Sequence, residues 1–285
     1  MPSPSFDVIV VGLGAVGSAT AFRIASRGQR VLGLDRYDPP HTLGSSHGRS
    51  RIIREACFEH PAYVPLARYA YECWAELEAL SHRSMVTQTG GITLGAPDSV
   101  AVTGARVSAT EHGLPYEELS SADIARRIPA FRTPPDTVGI WDPRAGVVAP
   151  ETAIECHLEA ATLAGADLHL DEPVIQWRAD GDDIEVTTAR STYRGSKLVL
   201  AVGAWISELL PDLELPLEVE RQVMCWFRPQ HHSDHFTPQY LPIFVWEFEP
   251  GRAWYGLPDL GHGVKVGIHH EGLLTTADSV DRNVG

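Results

Sequence analysis

At 285 residues, with 44% hydrophobic and 21% charged side chains, the chain is long enough for two ordinary domains or one large α/β unit around a sizeable core. A formal net charge of -14 argues against nucleic acid and anionic membrane as partners, because both would repel the average surface. No basic segment followed by an apolar stretch opens the sequence. The most apolar window, Val8 to Phe22, is too short and too broken by glycine to span a bilayer, so a cytoplasmic location is expected. Cys57, Cys73, Cys156 and Cys225 stand alone without a C-x-x-C pair, which fits reduced thiols and points to neither a disulfide framework nor a bound metal.

The first element is the most informative. The apolar run Phe6-Asp7-Val8-Ile9-Val10-Val11 breaks into Gly12-Leu13-Gly14-Ala15-Val16-Gly17. A helix is expected from Ala15 to Arg27 with Gly28 as its stop, and a second apolar run, Arg30 to Leu34, ends in Asp35. Strand, glycine turn, helix and strand in this order predict a dinucleotide site. Gly12 permits the tight turn, Gly14 lets a pyrophosphate approach the backbone, and Gly17 lets helix and strand pack closely. The helix N-terminus offers free N–H groups and partial positive charge to the phosphates. Asp35 follows Gly17 by 18 residues, the place of an acid that accepts from a ribose hydroxyl and disfavours a 2′-phosphate. The fingerprint admits FAD or NAD and is silent on the reaction.

A turn-rich loop from Tyr37 to Gly48 leads into Arg49-Ser50-Arg51-Ile52-Ile53-Arg54, and loops of this length inside an α/β unit are usually functional. Leu66, Ala70, Cys73, Leu77 and Leu80 alternate in steps of four and three, which predicts an amphipathic helix over about Tyr63 to Leu80. Thr89 to Gly95 reads as a strand with a glycine entry. A helix from Pro150-Glu151 to Gly165, strands over Asp167 to Leu170 and Ile184 to Thr188, and a buried strand within Lys197 to Trp205 return to the character of the first element. From Pro216 onward strands dominate, over Glu220 to Phe227, Ile243 to Phe248, Ala253 to Gly256 and Val264 to His269. The expected class is α/β: a discontinuous Rossmann-like domain of residues 1–85 and 146–215, with an inserted α+β substrate domain of mixed β-sheet from 86–145 and 216–285.

Arg49, Arg51 and Arg54 fall within six residues of an acidic chain. Guanidinium forks match a carboxylate, so the cluster suits a carboxylate substrate or a flavin's polar edge; surface pairs to Glu55 and Glu59 are the alternative. His47 is a candidate base or cofactor contact, although a structural role is the simpler reading for any one of 13 histidines. Alternation in Gly263 to His269 puts Val264, Val266 and Ile268 on one face and Lys265, Gly267 and His269 on the other. The glycine there leaves open space for a ligand, and a solvent-facing edge strand guarded by lysine is the alternative. His231-His232 and His269-His270 are adjacent pairs, which on a strand point to opposite faces and make no natural metal pair; G-x-S-x-G and H-E-x-x-H are absent.

Together these residues resemble the FAD-dependent amine oxidases that include monomeric sarcosine oxidase and N-methyltryptophan oxidase, in the D-amino-acid oxidase group. The resemblance is carried by Asp7 to Gly17, Asp38-Pro39-Pro40-His41, Gly44-Ser45-Ser46-His47-Gly48 through Arg54, Tyr63-Val64-Pro65-Leu66, Val202-Gly203-Ala204-Trp205 and Lys265-Val266-Gly267-Ile268-His269. It implies FAD, with Gly12, Gly14 and Gly17 on the pyrophosphate, Asp35 on the adenosine ribose, and Ser46, His47 and Arg51 beside the isoalloxazine. It also implies that Arg54 holds a substrate carboxylate, that Lys265 sits near flavin N5 where reduced flavin meets oxygen, and that His269 faces the substrate pocket. Val245, Trp254 and Tyr255 are candidates to line that pocket, with a core role as the alternative.

The implied reaction is oxidation of the C–N bond of a secondary amino acid, N-methyl or cyclic, to an imine, with O₂ reduced to H₂O₂ by a monomer. The alternatives are a flavin dehydrogenase using another acceptor, a nicotinamide enzyme, and a truncated, catalytically poor flavoprotein. Family members continue past the equivalent of Gly285 into a segment bearing a flavin-linking cysteine, a second carboxylate-binding lysine and the closing strands of the FAD domain. None of the four cysteines here matches that position, so covalent attachment by that route is not expected.

Overall fold

The structure, a computed structural model, describes residues 5–283. The strand Val8–Val11 and the strand Val31–Leu34 are buried at every position and pair in parallel, Val8 opposite Val31. Asp167–His169 and Leu198–Leu200 extend this into a four-stranded parallel sheet in the order 167–169, 31–34, 8–11, 198–200. Runs without polar alternation are what a sheet covered on both faces requires. Val8 and Val10 pack with Phe22, Ile154 and Leu158, from the helices Ala15–Ala25 and Pro150–Leu163, while Ile9 and Val11 pack with Val186 and Tyr193 of a second four-stranded, mixed sheet beneath. Gly28 and Gly165 follow those helices with φ of +78° and +91°, the left-handed stop that glycine adopts without strain.

A seven-stranded mixed sheet runs in the order 225–227, 264–269, 252–257, 243–249, 91–95, 138–142, 117–120. Two distant stretches of chain meet in its middle, where Ile243–Glu249 runs parallel to Gly91–Gly95 with Ile243 opposite Gly91. A small antiparallel sheet links the two larger ones: Gly146–Val148 lies between Arg51–Ile53 and Val86–Gln88. Ile52 of the basic stretch packs there with Ile243, Leu257 and Tyr255 of the seven-stranded sheet.

Several expectations change in detail. The helix Val64–Ser81 forms, but Leu66 and Leu80 are 64% and 52% exposed; Leu77 and the partly buried Trp74 carry its contact with the core. The strand expected over 220–227 is two strands in different sheets, Val219–Arg221 with Leu273–Thr275 and Cys225–Phe227 with Val264–Val266. The strand expected in 197–205 ends at Leu200, is half-buried, and gives way to a short 3₁₀ turn at Gly203–Trp205. A helix at Val100–Glu111, not anticipated, covers the seven-stranded sheet through Val102 and Ala105.

Candidate active site

The glycine turn has no room to spare. Gly12 has φ +88°, and a Cβ on it would lie 2.5 Å from the Ala201 carbonyl oxygen; a Cβ on Gly17 would lie 1.7 Å from the Gly12 carbonyl oxygen. The helix that follows starts at Gly14 with no side-chain cap and no acidic residue in its first turn, so its positive end faces an open cleft. This cleft, about 540 Å³, is lined by Gly12, Gly14, Asp35, Tyr37, Glu172 and Trp205. Asp35 closes its far end at 6% exposure: one carboxylate oxygen accepts from the Leu13 N–H at 2.6 Å and the other from the Tyr37 N–H at 2.9 Å. Burial pushes its pKa up and the two amides pull it down. Each oxygen keeps a further lone pair, which a ribose hydroxyl can use. Ser46 stands at the phosphate end, its hydroxyl accepting from the Ala15 N–H at 3.2 Å.

A second trough of about 910 Å³ shares Gly44, Ser45 and Ala204 with the first. His47, Arg51, Arg54, Tyr255, Lys265 and His269 line it. A cradle for phosphates and a ribose that opens into a basic trough fits an extended dinucleotide with a polar aromatic head, which is the shape and charge of FAD.

Arg51 is drawn inward by its own loop. Its guanidinium donates to the carbonyls of Ser50 and His47, at 2.8 Å each, and to that of Ser45, so the cation rests on dipoles and has no carboxylate partner among the described residues. Burial lowers its pKa. The same loop is pinned from outside by Glu151, whose carboxylate accepts from the Gly48 and Arg49 N–H groups at 2.7 and 2.9 Å. Arg49, the third arginine of the cluster, has φ +64° and is exposed.

Lys265 comes from an interior strand, paired on both sides, which removes the edge-guard alternative. It is 3% exposed and donates to the Gly48 carbonyl at 3.0 Å, the Ser50 carbonyl at 2.9 Å and the Ser50 hydroxyl at 3.3 Å. Burial, then the Arg51 charge, push its pKa down to about 8. The ammonium also lies 5.5 Å from the Trp226 ring centroid. The space expected above Gly267 is filled by the Tyr255 phenol, whose oxygen is 2.5 Å from where a Gly267 Cβ would stand, so this glycine admits a side chain and leaves no void of its own.

Arg54 combines both readings of the basic cluster. It pairs with Glu59 at 2.5 Å, lies 4.7 Å from the Phe58 ring centroid, and keeps a buried Nε–H with no acceptor among the described residues. Glu55 pairs instead with Arg144. His269 lies nearby, its pKa lowered by burial and then by His270; His47 is lowered by burial and then by Arg51. Both imidazoles are therefore neutral near pH 7. Val245 and Tyr255 line the trough; Trp254 does not, and packs with Phe244, Trp246 and Phe248. Away from the trough, His232 stacks on His235 and not on its sequence neighbour, with Asp234 beside them at metal-ligand spacing, a grouping the adjacent-pair reading overlooked.

Ser50, Glu151, Met224 and Trp226 were not singled out from sequence as parts of this site. Glu151 alone carried a signal, as an acid after the proline that starts a helix, which ordinarily means only dipole compensation.

A family model described as FAD dependent oxidoreductase matches residues 7–284. Monomeric sarcosine oxidase of Streptomyces avermitilis is 44% identical over 285 residues, 99% of this chain and 74% of that protein. N-methyl-L-tryptophan oxidase of Yersinia pestis is 33% identical over 271 residues, 94% of this chain and 71% of that one. Among solved structures, the open form of NikD, described as an unusual amino acid oxidase essential for nikkomycin biosynthesis, aligns with a TM-score of 0.82 at 29% identity, covering 98% of this chain and 73% of NikD. Glycine oxidase from Geobacillus kaustophilus shares the fold, with a TM-score of 0.75 at 22% identity over 99% of this chain and 74% of that one. No helix among the described residues is long and apolar enough to cross a membrane. The chain belongs to the FAD dependent oxidoreductase family that contains these amine oxidases.

Proposed function

We propose that the chain oxidises the C–N bond of an N-methyl or cyclic secondary amino acid to an imine and passes the two electrons to O₂, releasing H₂O₂. The observation that carries this reading is the pairing, in one trough, of Arg54 with a buried unmatched N–H and Lys265 with a buried ammonium beside Arg51.

FAD supplies the electron-accepting chemistry when bound. Gly12, Gly14 and Ser46 form the seat for its pyrophosphate, Gly17 lets the helix pack against that turn, and Asp35 accepts from the adenosine ribose. In the basic trough Arg54 binds the substrate carboxylate, which would satisfy its Nε–H and draw on a cation already held by Glu59 and Phe58. His269, neutral, can accept from the substrate N–H. Arg51 and Lys265 bring positive charge to the polar edge of the cofactor, and Lys265 places it where O₂ gains negative charge. Glu151 and Ser50 hold those cations in position.

The reading includes a division into an FAD unit, residues 1–85 and 146–215, and a substrate unit, residues 86–145 and 216–285. In its support, all four strands of the parallel sheet fall in the first set and all seven of the mixed sheet in the second. A monomer in the cytoplasm is part of the same reading, supported by the relative named monomeric sarcosine oxidase and by four free cysteines. Peroxide release by the FAD-loaded protein with sarcosine, N-methyltryptophan or pipecolate tests the reaction: catalase-sensitive release with any of these supports it, and release with none counts against it.

A further inference from the structure

Met224 is the described methionine that lines the basic trough; Met85 is 2% exposed and belongs to the core under the parallel sheet. Its thioether packs against the loop that seats Lys265. A Cβ on Gly48 would lie 2.9 Å from the Met224 sulfur, 2.8 Å from its methyl carbon and 3.4 Å from the Lys265 ammonium nitrogen, so sulfur and ammonium are near neighbours across Gly48. Gly48 itself has φ +110° and accepts from that ammonium at 3.0 Å. Met224 lies just before the strand Cys225–Phe227 and lines the trough together with Trp226 of that strand.

We propose that Met224 is a built-in target of the peroxide made in this trough, oxidised there to the sulfoxide in a reaction that slows further turnover. The proposal rests on the oxidase reading above. The sulfur lone pair attacks one peroxide oxygen, the O–O bond breaks, and an S–O bond forms. The sulfur loses two electrons, and the other oxygen leaves as water with both hydrogens, its second proton relayed locally from the first oxygen or through the Lys265 ammonium. A thioether is soft and polarizable and reacts readily with hydroperoxides, and its sulfoxide is polar and reversible by sulfoxide reductases. The new oxygen is a strong acceptor beside an ammonium that now donates to Gly48 and Ser50. It competes for that cation and draws it from its seat, and the rate of reaction with O₂ falls as sulfoxide accumulates.

The test is turnover of sarcosine by the FAD-loaded protein with catalase in the buffer, followed by peptide mass analysis. Met224 should gain one oxygen atom in step with turnovers while Met85 does not, whereas the same total peroxide added as reagent, with catalase present, leaves Met224 unchanged. The rate should decline during turnover in the parent protein and stay level in Met224→Leu. Protection of Met224 by catalase during turnover would overturn the proposal, because the oxidant would then be bulk peroxide. Equal decline in Met224→Leu would overturn the slowing. If no peroxide is released from any amine, the oxidase reading fails by itself. Reagent peroxide without catalase then decides on Met224 alone, and oxidation no faster than at Met85 overturns its role as a target.

Discussion

The charge on Lys265 should set the pH dependence of the reaction with oxygen. Its ammonium is buried, it donates three hydrogen bonds to Gly48 and Ser50, and its pKa is lowered from 10.5 to about 8. The charged form is lost as pH rises through that value. A bound anion at the cofactor edge pulls the value up again, so the midpoint in the loaded enzyme should fall between about 8 and 10.5. Above the midpoint the reoxidation rate should fall about tenfold per pH unit, toward a floor set by the neutral amine. At an effective dielectric of about 20, one charge at about 4 Å is worth about 4 kcal/mol, so that floor lies up to about a thousandfold lower. Stopped-flow mixing of the anaerobically reduced protein with O₂-saturated buffers from pH 6 to above pH 10 gives the curve, and Lys265→Met should sit on the floor throughout while flavin reduction by substrate changes much less. A flat profile for the parent protein, or the same slope in Lys265→Met, would refute the assignment.

Other expectations concern separate parts of the molecule. Gly17→Ala places a Cβ 1.7 Å from the Gly12 carbonyl oxygen, a backbone atom that cannot turn aside, so the purified variant should retain far less FAD by absorbance than the parent. Arg54→Gln should raise KM for a carboxylate substrate by about 10- to 100-fold with a smaller change in kcat, and an N-methylamine lacking a carboxylate should not distinguish the two proteins. His157, buried against Phe22 and Trp74, has its pKa pushed down to about 4, first by burial and then by Arg23. The unfolded chain binds that proton below about 6.5 and the folded chain only below about 4, so stability falls as pH drops through this window, by at most about 3 kcal/mol. His157→Gln should flatten the acid limb of a urea-midpoint profile, and an unchanged limb would show that other groups govern it.

What the sequence made legible was what chain neighbours determine. Gly12, Gly14, Gly17 and Asp35 act within one strand–turn–helix–strand unit, and their spacing alone implied a cleft with a helix end and an acid at its rim. The helix stops at Gly28 and Gly165 were legible for the same reason. The basic trough was not, because its parts meet across the whole chain: Lys265 reaches a carbonyl 217 positions away, and Glu151 an amide 103 away. Spacing carries no record of such contacts: alternation put Lys265 on a face open to a ligand without saying what it meets, and Glu151 read only as compensation of a helix dipole. In the helix Val64–Ser81 the period was right and the face partly wrong, since Trp74, outside the leucine stripe, shares the packing with Leu77 while Leu66 and Leu80 stay exposed. The helix Val100–Glu111 escaped notice because its buried side is Ala101, Val102, Ala105 and Ala109, set among serine, threonine and glycine that blur the apolar contrast. The strand 264–269 shows how much pairing matters: the same lysine is an edge guard in isolation and a buried cation once strands lie on both sides.

The central claim, that this trough removes two electrons from a secondary amino acid and gives them to oxygen, is met most directly by the flavin spectrum of the loaded protein. Sarcosine or another N-methyl or cyclic amino acid, added without oxygen, should bleach the flavin absorbance. Admitting O₂ should restore it, with one H₂O₂ released for each substrate consumed. Flavin colour that persists under every such substrate, or bleaching that oxygen does not reverse with peroxide, would contradict the account.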